Sequence, residues 1–168
     1  GGSDDYWYAR WAKQLATARR VEQDNWDRPE CSRWVGRLVE DVGKSSRPVV
    51  IVGHSLGVMT IVHAAPELAG TNVKAAFLVA PPDLEDMAES LPQTASFLPV
   101  PHDPLPFPSF VIASQTDPYG TYGFADEMAA AWGSAIFDAG ESGHINSDSG
   151  HGPWPEGLMM FARLLKQI

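Results

Sequence analysis

Ser55 lies in the pattern Gly53-His54-Ser55-Leu56-Gly57, the stretch of this sequence whose residue types most directly suggest chemistry. A β-branched run at residues 49–52 precedes the pattern, and an apolar stretch of helical length follows it. Strand, sharp turn and helix form the context that a nucleophilic serine requires, because the turn lifts the hydroxyl above the end of a sheet. A side chain at either Gly53 or Gly57 is expected to collide with the neighbouring strand or helix.

The helix that follows Ser55 adds the second requirement of acyl transfer, which is stabilisation of a developing oxyanion. Its amide dipoles favour negative charge near its first turn. The Leu56 N–H is placed to donate to that charge. The sequence therefore predicts a serine nucleophile with at least one oxyanion donor beside it.

A serine hydroxyl needs a base, and five histidines compete for that role. His54 is expected to point away from the serine, and His63 lies two turns along the helix. His102 lacks a strand end to hold it. His144 and His151 both lie in the last loop, where a hydrolase with the order serine, acid, histidine carries its base. We favour His144, because it follows the preceding strand more closely and is flanked by a glycine.

Two aspartates could orient that histidine. Asp117 follows the predicted strand 110–114 and precedes a proline that fixes the turn. Asp138 also ends a strand, but it lies only six positions before His144 and would have to turn back toward it. The favoured chemistry is deprotonation of Ser55 by His144, orientation of the imidazole by Asp117, and formation and hydrolysis of an acyl-enzyme.

Apolar periodicity predicts alternating helices and strands around these residues. Such alternation, with nearly continuous apolar strands, indicates an α/β three-layer sandwich with a mostly parallel central sheet. Ligands in such sheets bind beyond the carboxyl ends of the strands, where Ser55, Asp117 and the last loop all lie. The predicted helices cover residues 6–17, 30–42, 122–132 and 155–168, a further helix follows Ser55 and ends between residues 66 and 70, and a short one is possible at 84–91. The predicted strands cover residues 18–23 (weakly marked), 49–52, 73–80, 110–114 and 135–137.

Residues 81–108 carry eight prolines, so long helices or strands cannot form there. The segment is either a plain surface excursion or a lid or wall of the substrate pocket. Its apolar side chains favour a wall that accepts a small acyl group. The candidate pocket residues are Phe97, Leu98, Leu105 and Phe107.

The composition predicts one globular domain over residues 1–168, with 44% hydrophobic and 20% charged residues. A net charge of −9 argues against a nucleic-acid partner. Cys31 is the only cysteine, so it is expected to be a packing residue rather than half of a disulfide. No membrane-spanning stretch or signal-peptide pattern is visible, which makes a cytoplasmic protein the default expectation. No metal and no cofactor are expected.

The motifs together resemble the RBBP9/YdeN family of small serine hydrolases, nearly end to end. The resemblance implies an α/β-hydrolase fold without a large cap domain, a triad of Ser55, Asp117 and His144, and hydrolysis of small acyl esters. Retinoblastoma-protein binding is not expected, because the L-x-C-x-E motif behind it is absent. The motifs that carry the resemblance are Gly53-His54-Ser55-Leu56-Gly57, Gly143-His144-Ile145-Asn146, Ser149-Gly150, Trp154-Pro155-Glu156-Gly157, and Gly2-Ser3 ahead of Trp7 and Trp11.

The sequence departs from that family at its beginning. Family members open with an apolar strand that leads into a Gly-rich loop, whereas this sequence opens at Gly1-Gly2-Ser3. Either residues precede Gly1 and supply the first strand, or the sheet is one strand short. We predict the former, because a central strand is hard to dispense with. The second oxyanion donor is expected from this loop, near Gly2 or Ser3.

Two other functions compete with a serine esterase or related acyl hydrolase. A non-catalytic α/β-hydrolase-fold binding protein would keep the pocket for recognition, but it has no need of a matched nucleophile, base and acid. A metal hydrolase could use His144, Asp148 and His151, although a loop rich in Gly and Ser gives poor support for a metal site.

Overall fold

A computed structural model describes residues 4–168 of the chain, and helices alternate with strands along most of that range. Most predicted boundaries are met within three residues. The helices are α1 (Trp7–Gln14), α2 (Cys31–Gly43), α3 (Leu56–Leu68), α4 (Tyr122–Trp132) and α5 (Pro155–Leu165), the strands are β1 (Val49–His54), β2 (Val73–Val79), β3 (Ser109–Ala113) and β4 (Ala135–Asp138), and short 3₁₀ turns cover Pro92–Phe97 and Ser147–Ser149.

The four strands form one parallel sheet in the order β1-β2-β3-β4. Each strand therefore lies beside its neighbour in sequence, and all four carboxyl ends meet at one edge. The loops after β1, β3 and β4 carry Ser55, Asp117 and His144, respectively. The predicted α/β fold with a mostly parallel sheet is confirmed, and no large cap domain is evident among the described residues.

Alternating side chains of the central strands fill two separate cores, one on each face of the sheet. Ala76 and Leu78 of β2 face a core formed with α2, α3 and α4. Ala75 and Phe77 face a second core formed with α1 and α5. Every residue of β3 is buried. This explains why the sequence of the central strands is continuously apolar rather than alternating.

The weakly marked strand at residues 18–23 is not formed, and this prediction was wrong. The segment instead contacts α2 through side chains: the Gln23 amide donates to the Trp34 carbonyl at 3.3 Å, and the Arg19 guanidinium donates to the Asp41 carbonyl at 3.5 Å. These polar side chains donate hydrogen bonds to carbonyls of α2, and the segment does not pair with a strand within residues 4–168. The possible helix at 84–91 is also absent, because hydrogen-bonded turns occupy that stretch.

The proline-rich segment packs into the α2–α3–α4 core. Phe97 is fully buried and Phe107 is nearly so, while Leu98 and Leu105 are half-buried against the same core. The segment is fixed by Trp132, whose indole N–H donates to the Pro101 carbonyl at 2.8 Å. Phe97 and Phe107 therefore lie in the core and not at an open pocket wall. Their burial there removes a large apolar area from water.

No α-helix within residues 4–168 is both long and apolar enough to cross a membrane.

Burial of Cys31 at the start of α2 raises the pKa of its thiol to about 11, with the neighbouring Glu30 carboxylate adding to the effect. We predict that iodoacetamide alkylates the native protein about 100-fold more slowly than an unperturbed thiol at pH 8, since the thiolate is the reactive form. Mass spectrometry in buffer and in denaturing urea measures the two rates. Equal rates in the two conditions would contradict the buried position.

Candidate active site

The turn after β1 holds Ser55 in a backbone conformation that few residues adopt, with φ 54° and ψ −124°. The Ser55 N–H donates to the Val79 carbonyl at 2.9 Å, which extends the β1–β2 ladder into the turn. Strain of this kind costs about 1–3 kcal/mol and persists only where the surroundings enforce it. The predicted sharp strand-to-helix turn is present.

The two glycines of the turn differ in their surroundings. A Cβ on Gly53 would lie 2.8 Å from the Gly57 carbonyl group and 2.7 Å from Ile61 Cδ1. A Cβ on Gly57 would meet no atom of the described residues within 4 Å. The expected collision thus holds for Gly53, whereas a Cβ on Gly57 meets no collision in the described part of the chain.

Helix α3 begins at Leu56, directly after Ser55. The N–H groups of the first turn have no acceptor within the helix, so the Leu56 amide is available to an anion near the serine. Gly2 and Ser3, the residues predicted to supply the other oxyanion donor, lie outside the described residues.

His144 and Asp117 are brought together by the loops after β4 and β3. His144 Nδ1 lies 2.9 Å from both carboxylate oxygens of Asp117. Only 9% of the His144 side chain and 3% of the Asp117 side chain are exposed. Because a carboxylate only accepts hydrogen bonds, Nδ1 carries a proton, and in that tautomer Nε2 is the nitrogen that accepts.

Ser114 and Thr116, which sequence reasoning missed, tie these two loops together. The buried Ser114 hydroxyl donates to the Gly140 carbonyl at 3.2 Å and accepts from the Ser142 N–H at 3.0 Å. The Thr116 hydroxyl accepts from the Gly143 N–H at 3.1 Å. Hydroxyls at alternate positions just after a strand are a signal that could have indicated such a link. The loops that carry Asp117 and His144 therefore form one hydrogen-bonded unit.

The Gly143-His144-Ile145-Asn146 motif builds the turn that carries His144. Gly143 has φ +53°, and a Cβ there would lie 2.8 Å from Ser149 Cβ. The Asn146 side chain accepts from the Ser149 N–H, and the Ser149 hydroxyl accepts from the Asn146 N–H, each at 3.0 Å. This reciprocal pair closes the turn after His144 and explains the spacing between the motif and Ser149-Gly150.

The alternative acid and base candidates have other partners. Asp138 accepts from the Gln115 amide at 2.6 Å and from the Gly140 N–H at 2.7 Å. The His151 ring lies 3.1 Å from the Ser149 hydroxyl. The His63 ring contacts the Phe97 carbonyl at 2.8 Å. These three side chains support local structure and do not contact the His144–Asp117 pair.

Two aromatic rings flank the His144 imidazole. The centre of the Tyr119 ring lies 4.5 Å from that of His144, and the centre of the His54 ring lies 4.8 Å from it. Tyr119 is 36% exposed, and its backbone N–H donates to Asp117 Oδ1 at 2.9 Å. The two rings restrict tilting of the imidazole.

The Ser55 hydroxyl and His144 Nε2 are not hydrogen-bonded to each other in the described residues. Such contacts are often long in a free enzyme and tighten when substrate binds. A cavity of about 200 Å³ lies between the loop after β2 and α4, and it contains neither Ser55 nor any predicted pocket residue. Its lining residues are Asp83, Leu84, Glu85, Val100, His102, Phe124, Glu127 and Met128.

Within residues 4–168, no group of three or more His, Cys, Asp or Glu side chains is arranged to hold a metal ion. The three residues considered for a metal site are His144, Asp148 and His151; the His144 ring is paired with Asp117 and the His151 ring with Ser149.

A family profile described as serine hydrolase matches residues 1–163 of the chain. The chain belongs to the serine hydrolase family. A comparison with curated protein sequences finds no match. The family assignment agrees with the resemblance to RBBP9/YdeN proteins and establishes a hydrolase, while the bond that it cleaves is a separate question.

Solved structures of YdeN-like proteins have the same fold. A YdeN-like hydrolase of Pectobacterium atrosepticum SCRI1043 is 28% identical with a TM-score of 0.84, over 97% of this chain and 84% of that one. The ydeN gene product of B. subtilis is 19% identical with a TM-score of 0.76, over 98% of this chain and 94% of that one. A hydrolase of Agrobacterium vitis S4 is 17% identical with a TM-score of 0.65, over 98% of this chain and 82% of that one.

The different surroundings of Gly53 and Gly57 in the turn after β1 can be tested by substitution. We predict that Gly53→Ala lowers the free energy of unfolding by about 1–3 kcal/mol through overpacking. Gly57→Ala is the matched control and should change it by no more than about 0.5 kcal/mol. Urea unfolding followed by circular dichroism measures both. A loss at Gly57 as large as that at Gly53 would contradict the geometry of the turn.

Proposed function

We propose that this serine hydrolase cleaves small acyl esters, or the related thioesters or amides, with Ser55 as nucleophile, His144 as base and Asp117 as its orienting acid. The observation that carries the proposal is the buried contact of 2.9 Å between His144 Nδ1 and Asp117. It fixes the tautomer whose Nε2 can accept the serine proton. In the proposed reaction Ser55 Oγ attacks the acyl carbon, and His144 passes the proton to the leaving group.

Electrostatic features around Ser55 support the acyl-enzyme step. The tetrahedral intermediate carries a negative charge on the former carbonyl oxygen. The Leu56 N–H and the amino end of α3 offer positive potential beside the serine. One such donor contributes about 10²–10³ in rate. We propose Gly2 or Ser3 as the source of the second donor, as the sequence predicts.

A small acyl group is favoured by the packing of the proline-rich segment. Phe97 and Phe107 fill the core rather than line a cavity, so they leave little depth for a long chain. Of the residues predicted for the pocket, Leu98 and Leu105 are half-buried and stay as candidates. The exposed ring of Tyr119 beside His144 is a further candidate contact for the acyl group.

The triad is tested by Ser55→Ala and Asp117→Asn, with Asp138→Asn as the matched control. We expect Ser55→Ala to abolish hydrolysis of p-nitrophenyl esters and labelling by a fluorophosphonate probe. Asp117→Asn should lower kcat by about 10³–10⁴, because the amide stabilises the wrong tautomer. Asp138→Asn should stay within a few-fold of the wild type, since the Asp138 carboxylate accepts from the Gln115 amide and the Gly140 N–H and is not a hydrogen-bond partner of His144 within residues 4–168.

Two outcomes would contradict the triad. Absence of labelling and hydrolysis in the wild type would favour a binding protein that keeps the fold without the chemistry. An equal loss of kcat in Asp138→Asn and Asp117→Asn would contradict the assignment of Asp117 as the acid. Assays with acetyl to decanoyl esters test the acyl group in the same experiment, and a strong preference for long chains would contradict a small site.

A further inference from the structure

The turn that carries His144 has a positive φ on both sides of that residue, and the strain falls on the side of Ile145. Gly143 and Ile145 have φ values of +53° and +48°. Isoleucine is β-branched and rarely adopts a positive φ, because its side chain collides with its own backbone. Ile145 is nevertheless fully buried. A strained turn of this kind needs contacts from outside to hold it.

Two ring N–H groups supply such contacts to successive carbonyls of the turn. The indole N–H of Trp7 donates to the Ile145 carbonyl at 2.9 Å. His54 Nε2 lies 2.8 Å from the His144 carbonyl. A carbonyl oxygen can only accept, so His54 Nε2 carries a proton and donates it. Trp7 is completely buried, so water competes weakly for its hydrogen bond, and His54 is half-buried.

His54 keeps a single N–H at neutral pH. Burial lowers the pKa of His54 to about 4, and the nearby His144 ring adds to the shift. The ring is therefore neutral, and its one proton is committed to the His144 carbonyl. His54 is predicted from the sequence to point away from Ser55, and no sequence pattern indicates that its ring reaches the loop that carries His144.

We propose that His54 is a positioning residue, which holds the backbone of His144 so that its imidazole stays in line with Ser55. This rests on the proposed function, since it concerns the same nucleophile and base. His54 directly precedes Ser55, so one short backbone segment carries the nucleophile and also holds the loop of the base. The hydrogen bond therefore fixes the two partners relative to each other across a sequence separation of 90 residues.

The test compares His54→Leu with His54→Gln. Leucine removes the donor, whereas the glutamine amide can place an N–H near the position of Nε2. We expect His54→Leu to lower kcat for p-nitrophenyl acetate about 10–100-fold with KM changed less than about 3-fold, because a displacement of about 1 Å costs up to 10²-fold in rate. His54→Gln should recover most of kcat.

His63 provides the matched control. Its Nε2 lies 2.8 Å from the Phe97 carbonyl, so it makes the same type of bond at a distance from the base loop. His63→Leu should lower the melting temperature without lowering kcat. If folded His54→Leu keeps the wild-type kcat, or if His54→Gln and His54→Leu lose it equally, the positioning role is overturned.

A spectroscopic measurement keeps the proposal testable if His54→Leu does not fold. In ¹⁵N-resolved NMR of the wild-type protein, His54 should show a protonated Nε2 and a bare Nδ1 at pH 7, and the opposite tautomer would overturn the proposal. The Ser55→Ala variant separates the positioning role of His54 from the proposed function. If Ser55→Ala is inactive and His54→Leu is fully active, only the positioning role fails, whereas full activity of Ser55→Ala would remove the proposed function and this role together.

Discussion

The buried contact between His144 and Asp117 is the interaction around which the rest of the structure is arranged. A carboxylate withdrawn from water is costly unless its oxygens are hydrogen-bonded, and Asp117 accepts from the His144 imidazole and from the Tyr119 N–H. The two residues are 27 positions apart, and they meet because β3 and β4 are adjacent parallel strands whose carboxyl ends point the same way. Ser114 and Thr116 then join the two loops directly.

Backbone strain is concentrated where this chain would do chemistry. Ser55 and Ile145 have positive φ, and each is held by hydrogen bonds to a neighbouring strand or ring. Ala80, at the carboxyl end of the adjacent strand, has φ 53° as well. Positive φ in non-glycine residues is rare elsewhere because nothing would compensate its cost. The sheet thus acts as a rigid base, and its carboxyl edge carries the conformations that local propensity disfavours.

Much of the fold could be predicted because its signals are local. Continuous apolar runs marked β2 and β3, and the apolar stripe of α2 and the bounds of α4 follow from periodicity alone. Contacts between distant residues were not predictable in the same way. The strand predicted at 18–23 is not formed, because its polar side chains bind α2. The burial of Phe97 could not be predicted, because a core position and a pocket wall require the same residue type. The link from His54 to the base loop has no signature in the sequence, since the bond is to a backbone carbonyl.

The acyl-enzyme that we propose on Ser55 can be trapped during turnover. The protein is mixed with excess p-nitrophenyl acetate, quenched in acid during the first turnovers and digested, and the acetylated peptide is identified by mass spectrometry. We predict that the acetyl group is on Ser55 and that it forms at the same rate as the initial release of p-nitrophenol. Turnover without a protein-bound acetyl group would contradict an acyl-enzyme on Ser55. So would an acetyl group that forms on another residue at the rate of p-nitrophenol release.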